Sequence, residues 1–115
     1  MFENILVVGM HFRGAWAKEY AATLQGGEIL RLEREPTNEY DAYAIKVITP
    51  GGQHLGYVEG VNASYIAAEM DEDPDQVWVA EVTGTETRKN NIHPVVTVRH
   101  LFEDEDLEDI EDEDE

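Results

Sequence analysis

Apolar and polar positions alternate in short runs, interrupted by two stretches of helical period. Glu3-Asn4-Ile5-Leu6-Val7-Val8 predicts a first strand. Gly9 ends it or admits another backbone. Met10 to Gly14 follows as a loop. Ala15 to Leu24 predicts a helix, with Trp16, Tyr20 and Leu24 four apart and so on one face. That spacing assigns Trp16 and Tyr20 to the core. Gln25-Gly26-Gly27 closes the helix, because glycine accepts the left-handed conformation at a helix end.

Period two then returns. Leu30-Arg31-Leu32-Glu33-Arg34 alternates as a half-buried strand does. Glu35 to Asp41 is a connection, in which Pro36 has no amide to donate and Asn38 and Asp41 can bond their own backbone. Tyr43 to Ile48 and Gln53 to Val58 read as partner strands around a Pro50-Gly51-Gly52 turn. Asn62-Ala63-Ser64 opens a second helix to about Met70, with Asn62 or Ser64 as its cap. Asp71 to Asp75 reads as a solvated loop. It fails as a Ca²⁺ helix-loop-helix site, since Gln76 stands where glycine is needed and Val82 where glutamate is needed. Gln76 to Thr85 is a strand with apolar residues on both faces. Thr87 to Ile92 is a polar connection, and His93 to Phe102 is the last strand. Five or six short strands and two short helices predict a mainly β (α+β) fold: a small six-stranded β-barrel of OB/SH3-like kind.

The middle of this pattern carries a family signature. Arg34-Glu35-Pro36-x-Asn38-x-Tyr40-Asp41, then Ala44-Ile45-x-Val47, then Gly52 and Leu55-Gly56-Tyr57-Val58 resembles the core of a HIRAN domain. Val8-Gly9-Met10-His11-Phe12 and the strand at Val77 to Thr83 fit the same pattern. The resemblance covers roughly residues 5 to 102 and implies the same barrel. The expected organisation is a HIRAN-like domain over 1–102 and a disordered acidic tail over 103–115.

Charge changes the picture. Formal net charge is −18, and 11 of the last 13 residues are acidic. Without that tail the body still carries −7. Nonspecific attraction to nucleic acid comes mainly from Lys and Arg replacing counterions at phosphates, so broad affinity for a polyanion is disfavoured. Anionic membrane surfaces are disfavoured for the same reason. Absence of cysteine, of a signal-peptide pattern and of any membrane-length apolar run predicts an intracellular, cytoplasmic chain.

The residues predict no catalysis, metal or cofactor. His11, His54, His93 and His100 are scattered, with no helical i, i+4 pair. No nucleophile elbow, Walker loop or dinucleotide fingerprint is present. The chain is expected to be a non-enzyme.

The resemblance implies a partner. HIRAN domains are modules of chromatin-type helicases that bind single-stranded DNA at a free 3′ end. They use aromatic and basic side chains for the last bases, and an acidic residue that accepts from the terminal hydroxyl. Carried over, Asp41 is the hydroxyl acceptor, with capping of its own turn as its local role. Phe12 is the stacking platform. His11 stands where a basic residue is common, and Arg13 where a second aromatic is common. Tyr57 lines the groove, and Tyr40 shapes it or, as its local reading, packs into the core. The chain departs from the family at Glu59-Gly60-Val61, where a basic residue is usual, and at Asn38-Glu39-Tyr40, where proline usually follows the asparagine. Two functions result. One is recognition of a single-stranded DNA 3′ end in repair, replication or recombination. The other is an acidic regulator or DNA mimic, of phage or mobile-element type. Its barrel face and tail, with Leu107 and Ile110 as anchors, would occupy a basic nucleic-acid enzyme.

Overall fold

Alternating apolar positions supply the interior of a barrel in the computed structural model, which describes residues 1–105. The elements in chain order are β1 (Phe2–Val8), a 3₁₀ turn (Met10–Phe12), α1 (Ala15–Thr23), β2 (Ile29–Arg34), β3 (Ile45–Ile48), β4 (His54–Val58), α2 (Gly60–Glu72), β5 (Trp78–Arg88) and β6 (Asn91–His100). The strands close in the order β1-β4-β3-β2-β5-β6, every neighbouring pair antiparallel. Closure pairs each strand on both sides within the barrel, and the far end of the β5–β6 hairpin extends past it. The chain is therefore the mainly β, six-stranded barrel with two helices that its pattern predicts.

Side-chain alternation explains the core. Ile5 and Val7, Leu30 and Leu32, Ile45 and Val47, Ala80 and Val82, and Val96 and Val98 each point inward two residues apart. Leu55 joins them from β4. Helix α2 adds Ala63, Ile66, Ala67 and Met70, an i, i+3, i+4, i+7 stripe.

Four local expectations change. On α1 the fully buried residues are Ala17 and Ala21, while Trp16 and Tyr20 are half-buried against the core. The two alanines let the helix approach the barrel, and the large rings cover its flank. Tyr43 and Ala44 stay in the β2–β3 connection, where the Glu35 amide bonds the Ala44 carbonyl. Helix α2 starts at Gly60, not at Asn62 or Ser64, because the Asn62 amide already donates to the Glu59 carbonyl at 3.0 Å. It also runs through Asp71 and Glu72, and Asp71 is held by Arg34 at 3.0 Å. Finally, the polar stretch 87–92 is mostly strand. Only Lys89 and Asn90 turn, with φ of 50° and 68°. Two consecutive left-handed residues form the tight hairpin that matches strand twist.

The barrel continues past β6 into the start of the acidic run. Arg99, only 5% exposed, donates to both oxygens of Glu105 at 2.7 and 2.9 Å. Residues 106–115, with Leu107, Ile110 and most of the expected disordered tail, lie outside the described residues. Among the described residues no helix is long and apolar enough to cross a membrane.

Candidate nucleic-acid interface

The β2–β3 connection is built by the very residues of the signature. The Arg34 guanidinium donates to the carbonyls of Ala44 and Ala42 at 2.9 and 3.1 Å. Asn38 Oδ1 accepts from the Tyr40 and Asp41 amides at 2.9 and 3.0 Å. Asp41 Oδ1 accepts from the Tyr43 amide at 2.8 Å. These side-chain bonds replace the ladder a strand would have supplied. They leave Tyr40 projecting into solvent, 92% exposed, and not packed in the core as its local reading has it.

The opposite wall is the turn after β1. Gly9 has φ of +84°, a conformation in which other residues are strained. The turn it starts presents Phe12, 78% exposed, with the His11 ring 3.9 Å from it. The floor requires Gly56, where an added Cβ would lie 2.5 Å from the Val8 carbonyl oxygen. That contact sets β4 tight against β1 and brings Tyr57 opposite Val8.

An open groove of about 430 Å³ results, and His11, Phe12, Tyr40, Asp41 and Tyr57 all line it. Arg13 is not on its wall. Its charge acts beside the groove: burial first, then Arg13, holds the His54 imidazole below the ordinary histidine value, and that ring meets Tyr57 edge-on at 4.7 Å. Asn38 lines the groove too, although its sequence context reads only as a turn former. Its amide donates to Glu35 Oε1 at 2.8 Å. The Tyr57 hydroxyl donates to the same oxygen at 2.7 Å. These two bonds hold the Glu35 carboxyl below its ordinary range, with Lys46 assisting. The Tyr57 phenol is raised, by burial and then by Glu35. Glu59, at the following helix, is paired with Arg88 at 3.3 Å.

The groove therefore offers exposed aromatic faces, the apolar side chains of Val8, Ala44 and Val58, and one carboxylate with a spare oxygen. Asp41 Oδ2 makes no hydrogen bond among the described residues.

The family model of the HIRAN domain matches residues 4–99. This chain belongs to the HIRAN family. Family membership supports a nucleic-acid-binding module; HIRAN is a binding domain and generally non-catalytic. A "Putative SWI/SNF-related matrix-associated actin-dependent regulator of chromatin subfamily A member 3-like 1" of Arabidopsis thaliana is 32% identical over 86 residues, 74% of this HIRAN chain and 9% of that protein. The helicase-like transcription factor of Oryctolagus cuniculus is 34% identical over 71 residues, 62% of this chain and 6% of that protein. The chain thus spans less than a tenth of these relatives. A crystal structure of a protein from Lactobacillus plantarum superposes with a TM-score of 0.66 at 27% identity, covering 83% of this chain and 89% of that one. The HIRAN domain of human HLTF shares the fold, with a TM-score of 0.53 at 20% identity over 82% of this chain and 78% of that one.

Proposed function

We propose that this HIRAN domain captures the free 3′ end of single-stranded DNA in the groove and does so without catalysis. The observation that carries the reading is convergence. Three segments far apart in sequence contribute His11 and Phe12, Tyr40 and Asp41, and Tyr57 to one groove. Phe12 offers a braced, exposed face for a terminal base, and such stacking is sequence-tolerant. Asp41 serves the turn with Oδ1 and accepts from the terminal hydroxyl with Oδ2. His11 and Arg13 supply donors at the rim. The module would serve a repair, replication or recombination assembly.

The test is a titration into a labelled single strand with a free 3′-hydroxyl, beside the same strand carrying a 3′-phosphate, at low and near-physiological salt. Asp41→Asn keeps the oxygen that caps the turn and removes the negative acceptor. It should weaken binding to the free hydroxyl more than to the phosphate. Equal losses at both ends would remove Asp41 from the recognition role.

The acidity of the chain sustains a second reading, in which the domain binds a basic protein. Ending the chain at Glu105 removes eight acids and moves formal net charge from −18 to −10. A basic nucleic-acid enzyme that binds the shortened chain as well as the full one would remove the tail from that reading.

A further inference from the structure

Eight basic side chains serve a chain with 26 acids, and their distribution is uneven. Arg31, Arg34, Lys46, Arg88 and Arg99 are each tied to carboxylates. Arg13, Lys18 and Lys89 make no ion pair among the described residues. Lys18 and Lys89 flank one place, and the charge of Arg13 acts on His54 and Tyr57 at the groove beside it. Lys18 lines a small cavity of about 130 Å³ between α1 and the β5–β6 turn, together with His11, Asn90, Asn91 and His93. Lys89 immediately precedes Asn90 in that turn, and Arg13 follows His11 by two residues.

The lining of this cavity is rich in donors. Among the described residues no carboxylate contributes to it. Lys18 carries three N–H donors on a free ammonium, and the Asn90 side chain has no partner among the described residues. His93 is oriented, because its Nδ1–H donates to the Val7 carbonyl at 3.1 Å. In that tautomer Nε2 is an acceptor, so the donors offered to a ligand are the Lys18 ammonium and the Asn90 amide. His11 belongs to both walls, since it lines this cavity and the groove beside it.

We infer that this cavity seats a backbone phosphate of the strand whose 3′ end occupies the groove. The inference rests on the proposed end capture and gives the strand a direction: past His11, toward α1 and the β5–β6 turn. It also reconciles binding with overall acidity. A single strand needs few cations when those few are unpaired and adjacent, and the paired ones contribute little. The cavity is roomier than one water requires, and Met10, Ala22 and Ile92 complete its walls beside the polar groups.

The experiment compares a dinucleotide with an octanucleotide, both ending in a free 3′-hydroxyl, on the full chain and two variants. Lys18→Gln and Gln53→Glu change net charge by the same single unit. Lys18 is exposed on α1, and Gln53 is exposed at the β3–β4 turn. Lys18→Gln should weaken the octanucleotide about fivefold and lower its log–log salt slope by roughly 0.7, the increment for one lost phosphate contact on a single strand. It should leave the dinucleotide unchanged. Gln53→Glu should leave both within about twofold. Octanucleotide binding that ignores Lys18→Gln while the dinucleotide still binds would overturn the phosphate seat and leave end capture standing. Failure of both ligands to bind the full chain would overturn both proposals. Amide shifts at Lys18 and Asn91 that respond to polyglutamate and not to the octanucleotide would assign the cavity to an acidic protein instead.

Discussion

The Tyr57 hydroxyl donates to Glu35 Oε1 at 2.7 Å, joining β4 to the start of the β2–β3 connection across 22 residues. The ring faces the groove while its polar tip is committed to structure. Removing the tip therefore separates stability from binding. Tyr57→Phe should lose about 1.5 kcal/mol, the lower range for a hydrogen bond to a charged group. It should keep most strand affinity, because the ring is intact. Urea unfolding beside the DNA titration checks both. A large affinity loss at equal ring geometry would mean that the hydroxyl touches ligand.

The same carboxylate sets an acid limit. Glu35 and Glu105 both titrate below the ordinary value of 4.5, Glu35 through Asn38 and Tyr57, Glu105 through Arg99. Lowered folded-state values mean that the unfolded chain binds protons first as pH falls. Their stabilisation is fully present above pH 4.5 and is lost as pH drops through the lower folded-state values. Unfolding free energies of the native chain and of Glu35→Gln and Glu105→Gln, measured from neutral to acid pH, should differ at neutrality and converge in acid. Parallel curves would contradict the assignment.

Gly56 is a packing requirement. Its φ is ordinary, but a Cβ would press into the Val8 carbonyl oxygen at 2.5 Å and the Met10 sulfur at 3.2 Å. Backbone cannot move aside as a flexible side chain does. Gly56→Ala should cost about 3 kcal/mol, at the upper range for overpacking. The melting temperature should then fall by more than about 10 °C. A melting point within two or three degrees of the native chain would show that β4 and β1 separate freely.

Phe12 presents the opposite case. Its ring is largely exposed and outside the core, so Phe12→Ala should leave the melting temperature unchanged. Strand affinity should fall by about 1–3 kcal/mol, the worth of one base stacked on an aromatic ring. Circular dichroism and anisotropy titration read the two quantities. Unchanged affinity would place the terminal base elsewhere.

Much of this was legible from order and type of residue alone. Period-two runs such as Leu30-Arg31-Leu32 and Ile45-Lys46-Val47 identified barrel strands, because alternate side chains on a strand must face opposite sides. The signature from Arg34 to Val58 identified the family. With the Val8–Phe12 segment, the resemblance also nominated His11, Phe12, Tyr40, Asp41 and Tyr57, which the fold gathers in one groove, and Arg13, which it leaves off the wall. Other features depended on contacts that sequence spacing does not encode. Small Ala17 and Ala21, not the larger Trp16 and Tyr20, face the barrel because helix approach is set by what lies beneath it. Lys89 and Asn90 form a tight turn because β5 and β6 pair residue by residue up to Arg88 and Asn91. Above all, formal charge counts every lysine and arginine equally. Only the tertiary structure decides which are neutralised by neighbouring carboxylates and which stay unpaired. Ion pairing acts over a few ångströms in space, whatever the separation along the chain.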